Sequence, residues 1–186
     1  MKASKPLHRA SRNGYVEVAQ LLLDRGSDVN SYKAGRWTPI HLAVAHGHLD
    51  ITKLLIQKGV DIDGRNNPEE TPLDCAAWNG FLEISRFLVE NGASVFVRDN
   101  NGWTPFHSAS ARGHLHIAKF LLDRAISVDV RNRNQKTSLY LASSRGELDA
   151  VRFLIENGAD IHAKDCDCRN SVHIASQNGH TDVVRL

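Results

Sequence analysis

The chain has 186 residues, of which 41% are hydrophobic and 24% are charged, and its formal net charge is +2 at pH 7. These proportions, with 13 Gly, 5 Pro and 3 Cys, are those of an ordinary globular protein and exclude a disordered, collagen-like or disulfide-stapled chain. No apolar run approaches the ~20 residues of a membrane-spanning helix, and no secretory signal is recognisable. We therefore expect an intracellular protein without a membrane partner, located in the cytoplasm, with the nucleus as the alternative.

A period of 33 residues runs through the chain and keeps its register in six copies. One column of equivalent positions holds Gly in every copy: Gly14, Gly47, Gly80, Gly113, Gly146 and Gly179. Another column holds Pro in four copies and Ser in two: Pro6, Pro39, Pro72, Pro105, Ser138 and Ser171. Such a period is the signature of a repeat architecture. We expect one domain over residues 1–186, with units of approximately 1–32, 33–65, 66–98, 99–131, 132–164 and a truncated 165–186.

Each unit predicts two short helices followed by a turn. In the second repeat Thr38 and Pro39 begin the first helix, because Thr caps a helix and Pro suits its first position, where no N–H is needed. Gly47 ends that helix, since Gly readily adopts the left-handed conformation after a helix. The second helix, over residues 49–56, has a one-sided apolar stripe. The polar segment that follows, as at residues 61–63, predicts a β-turn finger.

The units must stack, because a helix pair this small cannot bury its apolar face alone. This predicts an all-α solenoid whose core lies between the repeats. The chain resembles the ankyrin-repeat family through Thr-Pro-Ile-His-Leu-Ala at 38–43, Thr-Pro-Leu-Asp-Cys-Ala at 71–76, Thr-Pro-Phe-His-Ser-Ala at 104–109 and Asn-Gly-Ala-Asp-Ile at 157–161. The resemblance covers essentially the whole chain. It implies an ankyrin-repeat solenoid of helix-turn-helix units with β-turn fingers, which binds other proteins without catalysis.

Departures from the family pattern are concentrated late in the chain. Ser138 and Ser171 replace the helix-starting Pro, Asp74 and Tyr140 replace the motif His, and Ala125 stands where other units have Gly. We predict that the junction between the fourth and fifth repeats, and everything after it, frays first. Both ends look cut, so we expect the natural protein to be longer.

The sequence offers no catalytic or nucleotide-binding motif: it lacks a phosphate-binding loop, a dinucleotide fingerprint, a zinc-protease His pair and a nucleophile elbow. We therefore expect neither an enzyme nor a cofactor. The period accounts for seven of the ten His. The sharpest metal candidate combines His162 with Cys166 and Cys168, but zinc usually takes four ligands and Cys75 lies about three units away. No metal site is predicted.

The predicted binding surface rests on the columns that vary most. In ankyrin-like stacks the fingers and the residues before the first-helix Gly line the concave side, and all three tryptophans, Trp37, Trp78 and Trp103, fall in these columns. Trp is enriched among interface hot spots, so we interpret these three residues as anchors for a partner. The alternative is that each ring lies flat on a neighbouring finger and serves the fold.

The same columns are basic. The predicted partner-binding cations are Arg65, Arg98, Arg112, Arg131, Arg133, Lys136, Arg145 and Lys164. With Arg12, Lys33 and Arg169 they make eleven basic residues against four acidic ones, a charge of +7 that leaves −5 for the rest of the chain. Such a field steers an acidic partner. The alternative is that the Arg stems pack over the fingers and pair with nearby Asp.

These columns favour a non-catalytic interaction module or scaffold, monomeric by itself, that binds an acidic or acidic-aromatic segment of another protein on its concave face. The alternative is a nucleic acid or a phosphorylated ligand on the same surface. We regard nucleic acid as the weaker hypothesis, because Asp99, Asp165 and Asp167 would interrupt a track of phosphate contacts. A passive spacer within a larger chain is the third hypothesis.

Overall fold

In the computed structural model, which describes residues 6–186, the chain is all-α. The described residues contain twelve α-helices in six successive pairs and no β-strand. The helices are α1 (Pro6–Asn13), α2 (Val16–Asp24), α3 (Pro39–Ala45), α4 (Leu49–Gln57), α5 (Pro72–Asn79), α6 (Leu82–Glu90), α7 (Pro105–Ala111), α8 (Leu115–Leu122), α9 (Ser138–Arg145), α10 (Leu148–Glu156), α11 (Ser171–Gln177) and α12 (Thr181–Val184). A turn of 3-10 helix, Ala34–Arg36, lies in the first finger. None of the helices in this part of the chain is long and apolar enough to cross a membrane.

The chain divides into two compact units, each of which contains several of the 33-residue repeats. The first unit runs to Ala76 and includes Phe81–Ser94, and within it α1 packs against α3, α2 against α4, and α4 against α6. The second unit comprises Ala77–Gly80 and Val95–Leu186; there α7 packs against α9 and α9 against α11, while α8 packs against α10 and α10 against α12. Within each unit, first helices therefore stack on first helices and second helices on second helices. This confirms the predicted all-α repeat solenoid, whereas the single domain and the exact repeat boundaries stay predictions.

The core is formed by both helices of the repeats, with Leu55, Leu88 and Leu121 of the second helices completely buried, and it includes a regular column along the first helices. A column of small residues there is buried in every repeat: Ala10, Ala43, Ala76, Ala109, Ala142 and Ala175. Larger side chains one turn away, such as Ile40 and Phe106, are completely buried, which stabilises the fold by about 1.5–3 kcal/mol for each. The small Ala side chains allow successive helices to approach closely. The predicted core between repeats is confirmed in each unit.

Two of the three predicted Thr caps are present. The hydroxyls of Thr71 and Thr104 accept the backbone N–H three residues on, at 3.3 and 3.4 Å, and the hydroxyl of Thr137, which was not predicted as a cap, does the same at 3.3 Å. Thr38 makes no such cap, and its hydroxyl lies 2.7 Å from Nδ1 of His41. The Ser138 departure leaves the start of α9 intact, since Thr137 still caps it.

The fingers are closed by an Asn or Asp side chain that accepts backbone N–H groups. Asp99 accepts from Asn101 and Trp103 at 2.7 and 2.8 Å, and Asn132 accepts from Asn134 and Lys136 at 2.9 and 3.0 Å. Asp165 accepts from Asp167 and Arg169 in the same way, whereas Asn66 accepts from Glu70 at 2.9 Å, since the residue two positions on is Pro68, which has no N–H. We call this position the Asx column; it comprises Asn66, Asp99, Asn132 and Asp165. Its side chains replace water as partners of the turn's N–H groups.

Candidate functional site

Trp78 is the centre of the most concentrated group of predicted binding residues. It lies near the end of α5, in the second unit, and its ring is half-buried. The Cζ atom of Arg112 lies 5.0 Å from the centroid of this ring, and the Cζ atom of Arg145 lies 4.9 Å from it. Both distances fit a guanidinium held against the face or edge of an aromatic ring. Two exposed cations from successive repeats therefore meet on one tryptophan.

Trp103 extends this group. Its ring centroid lies 6.2 Å from that of Trp78, with the planes inclined by 54°, and it packs on the buried cluster that contains Tyr140 and Leu141. Lys136 places its Nζ atom 5.1 Å from the Tyr140 ring centroid. We name Trp78, Trp103, Arg112, Lys136 and Arg145 the Trp–Arg surface. Tyr140 was not predicted as part of it, although its replacement of the motif His by a larger ring was visible in the sequence.

The end of α5 is held in place by the next repeat in the same unit. The Nε2 atom of His114 donates to the carbonyl oxygen of Trp78 at 3.1 Å. Gly80 has a φ of +81°, and a Cβ there would lie 2.7 Å from Cε1 of His114. Only Gly satisfies both the left-handed backbone and this close approach. Gly80 and His114 together therefore fix the backbone that carries Trp78.

Two of the predicted binding arginines are used inside the fingers. Nη1 of Arg98 donates to the carbonyl oxygens of Gly102 and Arg131 at 3.0 and 2.7 Å. Nη1 of Arg131 donates in the same way to Gln135 and Lys164 at 3.4 and 3.0 Å. Each guanidinium thus joins its own finger to the next one.

Two other arginines are paired with carboxylates. Arg65 lies 3.4 Å from Glu69 in the first unit. Arg169 forms ion pairs with Asp165, at 3.1 Å, and with Asp167. These contacts neutralise part of the positive charge that the sequence assigned to the binding surface.

The remaining predicted cations are not neutralised in this way. Within residues 6–186 no ion pair joins a carboxylate to Arg112, Arg133, Lys136, Arg145 or Lys164. All five lie in the second unit, and all except the half-buried Lys136 are exposed. Arg112 and Arg145 also lie at the C-terminal ends of α7 and α9, where a positive charge interacts favourably with the helix dipole.

Trp37 is placed differently from the other two tryptophans. It lies in the first unit, half-buried, with its ring centroid 5.9 Å from that of His41 in an edge-on arrangement. Its carbonyl oxygen lies 3.2 Å from Nε2 of His8. No cation–π contact to Trp37 occurs among the described residues.

Tyr140, which Lys136 contacts, and Asp165, which interacts with Tyr140, both have shifted pKa values. Burial, reinforced by the Asp165 carboxylate, raises the pKa of Tyr140 to about 12. Burial opposes ionisation of Asp165, but the hydrogen bonds that it accepts, first of all from the backbone N–H of Arg169, lower its pKa to about 2. Asp165 is therefore ionised at neutral pH, and its charge is already used by the finger and by Arg169.

The three cysteines are reduced thiols. Cys166 and Cys168 are exposed in the last finger, and Cys75 is buried in α5, where burial raises its pKa well above its ordinary value. Over residues 6–186 no group of three or more His, Cys, Asp or Glu side chains is arranged to hold a metal ion.

Known proteins share both the sequence pattern and the fold. The family model described as ankyrin repeats (3 copies) matches residues 7–99 and 91–165, more than half of the chain. The crystal structure of the human ASB11 ankyrin repeat domain is similar at 27% sequence identity and a TM-score of 0.88, over 98% of this chain and 81% of that chain. In all, 606 solved chains match, so the fold by itself identifies no partner. The comparison with curated proteins gave no match. Ankyrin repeats are generally protein–protein interaction modules and are typically non-catalytic. The chain belongs to the ankyrin-repeat family.

Proposed function

We propose that this chain is a non-catalytic interaction module that binds an acidic or acidic-aromatic segment of another protein on its Trp–Arg surface. The observation that carries the proposal is the placement of Arg112 and Arg145, each within 5.0 Å of the Trp78 ring centroid. Cytoplasmic location and a monomeric state remain part of the proposal.

The electrostatics of this pair favour an anionic ligand. Because both Cζ atoms lie near one ring, they are at most about 10 Å apart, close to the Debye length of about 8 Å at physiological salt. Like charges at this distance repel, and an acidic side chain bound between them relieves the repulsion. A guanidinium that rests on an aromatic ring also keeps its N–H edge available for two parallel hydrogen bonds to a carboxylate.

The aromatic members supply the apolar part of the proposed contact. Trp78 and Trp103 are half-buried, so each ring keeps part of its surface for a ligand without being left fully in water. Arg133 and Lys164 are exposed in the adjoining fingers of the same unit and extend the positive charge. We assign Arg98 and Arg131 to shaping the fingers, and we give Trp37 and Arg65 a secondary role because of their contacts to His41 and Glu69.

The test compares two double charge reversals that change the net charge equally. The probe is a labelled peptide of alternating Glu and Phe, and its binding is measured by fluorescence anisotropy. Arg112→Glu with Arg145→Glu should weaken binding by at least about tenfold, since two charge-assisted contacts are lost. Lys119→Glu with Arg152→Glu, at exposed positions of α8 and α10, should leave binding unchanged. Equal losses in both variants would show that only net charge matters and would overturn the assigned surface.

A second experiment distinguishes a protein ligand from a nucleic acid ligand. Random single-stranded DNA replaces the peptide in the same assay at low and physiological salt. We expect weaker binding of the DNA than of the acidic peptide at both salt concentrations. Tighter DNA binding that falls steeply with salt would support phosphate contacts and contradict the proposal.

A further inference from the structure

A basic cleft of about 300 Å³ lies in the first repeat, within the first unit. It is lined by His8, Arg9, Arg12 and Asn13 of α1 and by Lys33 of the first finger. Among the described residues no acidic side chain lines it, and the sequence contains no Asp or Glu before Glu17. The cleft therefore gathers three permanent positive charges without a carboxylate to balance them.

Arg9 differs in kind from the residues at the equivalent position of the other repeats. The equivalent residues are buried and either apolar or small: Leu42, Cys75, Ser108, Leu141 and Ile174. Arg9 is exposed. The packing of the repeat thus gives no reason for a cation at this position.

Lys33 departs from its pattern just as clearly. It occupies the Asx column, in which the other four repeats use an Asn or Asp oxygen to accept the N–H groups of the finger. A Lys ammonium has no acceptor. The first finger gives up this stabilising contact and presents a positive charge instead. Positions where a local rule is broken are often functional sites.

Arg12 is oriented by a hydrogen bond to a histidine. Its Nε atom donates to Nε2 of His46 at 3.3 Å, while Nδ1 of His46 donates to the carbonyl oxygen of Leu42 at 2.9 Å. The two bonds fix the tautomer of His46, so that an acceptor faces Arg12. Arg12 is thereby held at the cleft by a group that leaves its charge uncompensated.

We propose that this cleft binds the phosphate group of a phosphorylated Ser or Thr side chain in a protein segment. A carboxylate would neutralise only one of the three cations, whereas a phosphate monoester carries about −1.5 to −2 charges and three acceptor oxygens at neutral pH. Arg guanidinium groups match such oxygens in pairs. A single half-open cleft suits one phosphate group, and not the continuous track of a nucleic acid. The site is independent of the Trp–Arg surface.

The experiment uses a short labelled peptide with one phosphoserine and no acidic residue, its unphosphorylated twin, and inorganic phosphate. Arg9→Ser with Lys33→Asn installs residues that other repeats have at these positions, so the variant should fold at least as stably as the parent chain. Arg25→Ser with Lys58→Asn removes the same charges from exposed positions elsewhere in the first unit. Fluorescence anisotropy measures peptide binding, and competition measures inorganic phosphate.

We expect the phosphopeptide to bind at least about tenfold more tightly than its twin, and to lose that advantage in the Arg9→Ser/Lys33→Asn variant only. Inorganic phosphate should compete, but more weakly than the phosphopeptide. Equal binding of the two peptides, or unchanged binding by this variant, would overturn the site. If inorganic phosphate bound as tightly as the phosphopeptide, the cleft would be a site for free phosphate and not for a phosphorylated protein segment. The Arg112→Glu/Arg145→Glu variant should bind the phosphopeptide normally, so this proposal and the proposed function can fail separately.

Discussion

His107 is a buried motif His whose protonation determines how stable the fold is in acid. Its side chain is completely buried in α7, and its Nδ1 atom lies 2.9 Å from the hydroxyl of Thr104. Burial lowers its pKa from 6.5 to about 4. The equivalent His41 is shifted in the same direction, again mainly by burial. Both rings are therefore neutral in the folded protein at physiological pH.

We predict that the free energy of unfolding falls as the pH is lowered from 6.5 towards about 4. In this window the unfolded chain binds a proton at His107 that the folded chain does not bind, so acid favours unfolding. The whole shift corresponds to a loss of about 3 kcal/mol. The depressed pKa of Asp165 affects stability mainly below its ordinary value of 3.8, and so contributes only at the acid end of this window.

Urea denaturation at several pH values measures this loss. The His107→Gln variant, which cannot titrate, should be less stable at neutral pH but should show a flatter pH dependence. An equally steep dependence in the variant would contradict the assignment to His107.

At the residue scale the sequence predicted backbone features better than side-chain contacts. Ala125, which stands in a column that is otherwise Gly, adopts the left-handed conformation with a φ of 63°. Contacts of Arg side chains were not predictable, since these long chains reach several neighbours and the spacing of the stack decides between them. The sequence therefore grouped Arg98 with Arg112, although only Arg98 is bound to finger carbonyls.

Neighbouring fingers are linked by the backbone and also by such side chains. The N–H of Arg133 donates to the carbonyl oxygen of Asn101 at 3.0 Å, and the guanidinium groups of Arg98 and Arg131 add side-chain links. The sequence predicted the fingers from their turn residues. It could not predict their cross-links, because these depend on the distance between neighbouring fingers.

We predict that Arg98→Ala lowers the free energy of unfolding by about 1 kcal/mol or more, since two carbonyl oxygens lose a charged donor. Arg112→Ala should cause a smaller loss than Arg98→Ala, because its exposed guanidinium gives up only a cation–π contact and a helix-dipole interaction, each worth about 1 kcal/mol or less. Denaturant unfolding of both variants at neutral pH measures the difference. A larger loss for Arg112→Ala than for Arg98→Ala would contradict the division into finger-linking and partner-binding arginines.

At the scale of the whole molecule the repeat period predicted the fold class correctly, because each repeat contacts only its neighbours and one unit determines the next. The net charge was less informative. A sum of formal charges does not tell which cations are neutralised locally, as Arg65 and Arg169 are. The predicted concave charge therefore remains a formal count, and only the second-unit cations without ion pairs carry the proposed function.

The distribution of stability along the array is the last expectation to be tested. In a chain of nearest-neighbour contacts a weak junction lowers the stability of everything beyond it. Ala125 in a left-handed conformation costs about 1 kcal/mol relative to Gly, and Ser138 and Ser171 lack the preset φ of Pro. We therefore predict faster amide exchange in residues 137–186 than in residues 38–97, measured by mass spectrometry or NMR. Ala125→Gly should slow exchange mainly in residues 137–186. Slower exchange there than in residues 38–97 in the parent chain would contradict the prediction, because the weak junction would then lie elsewhere.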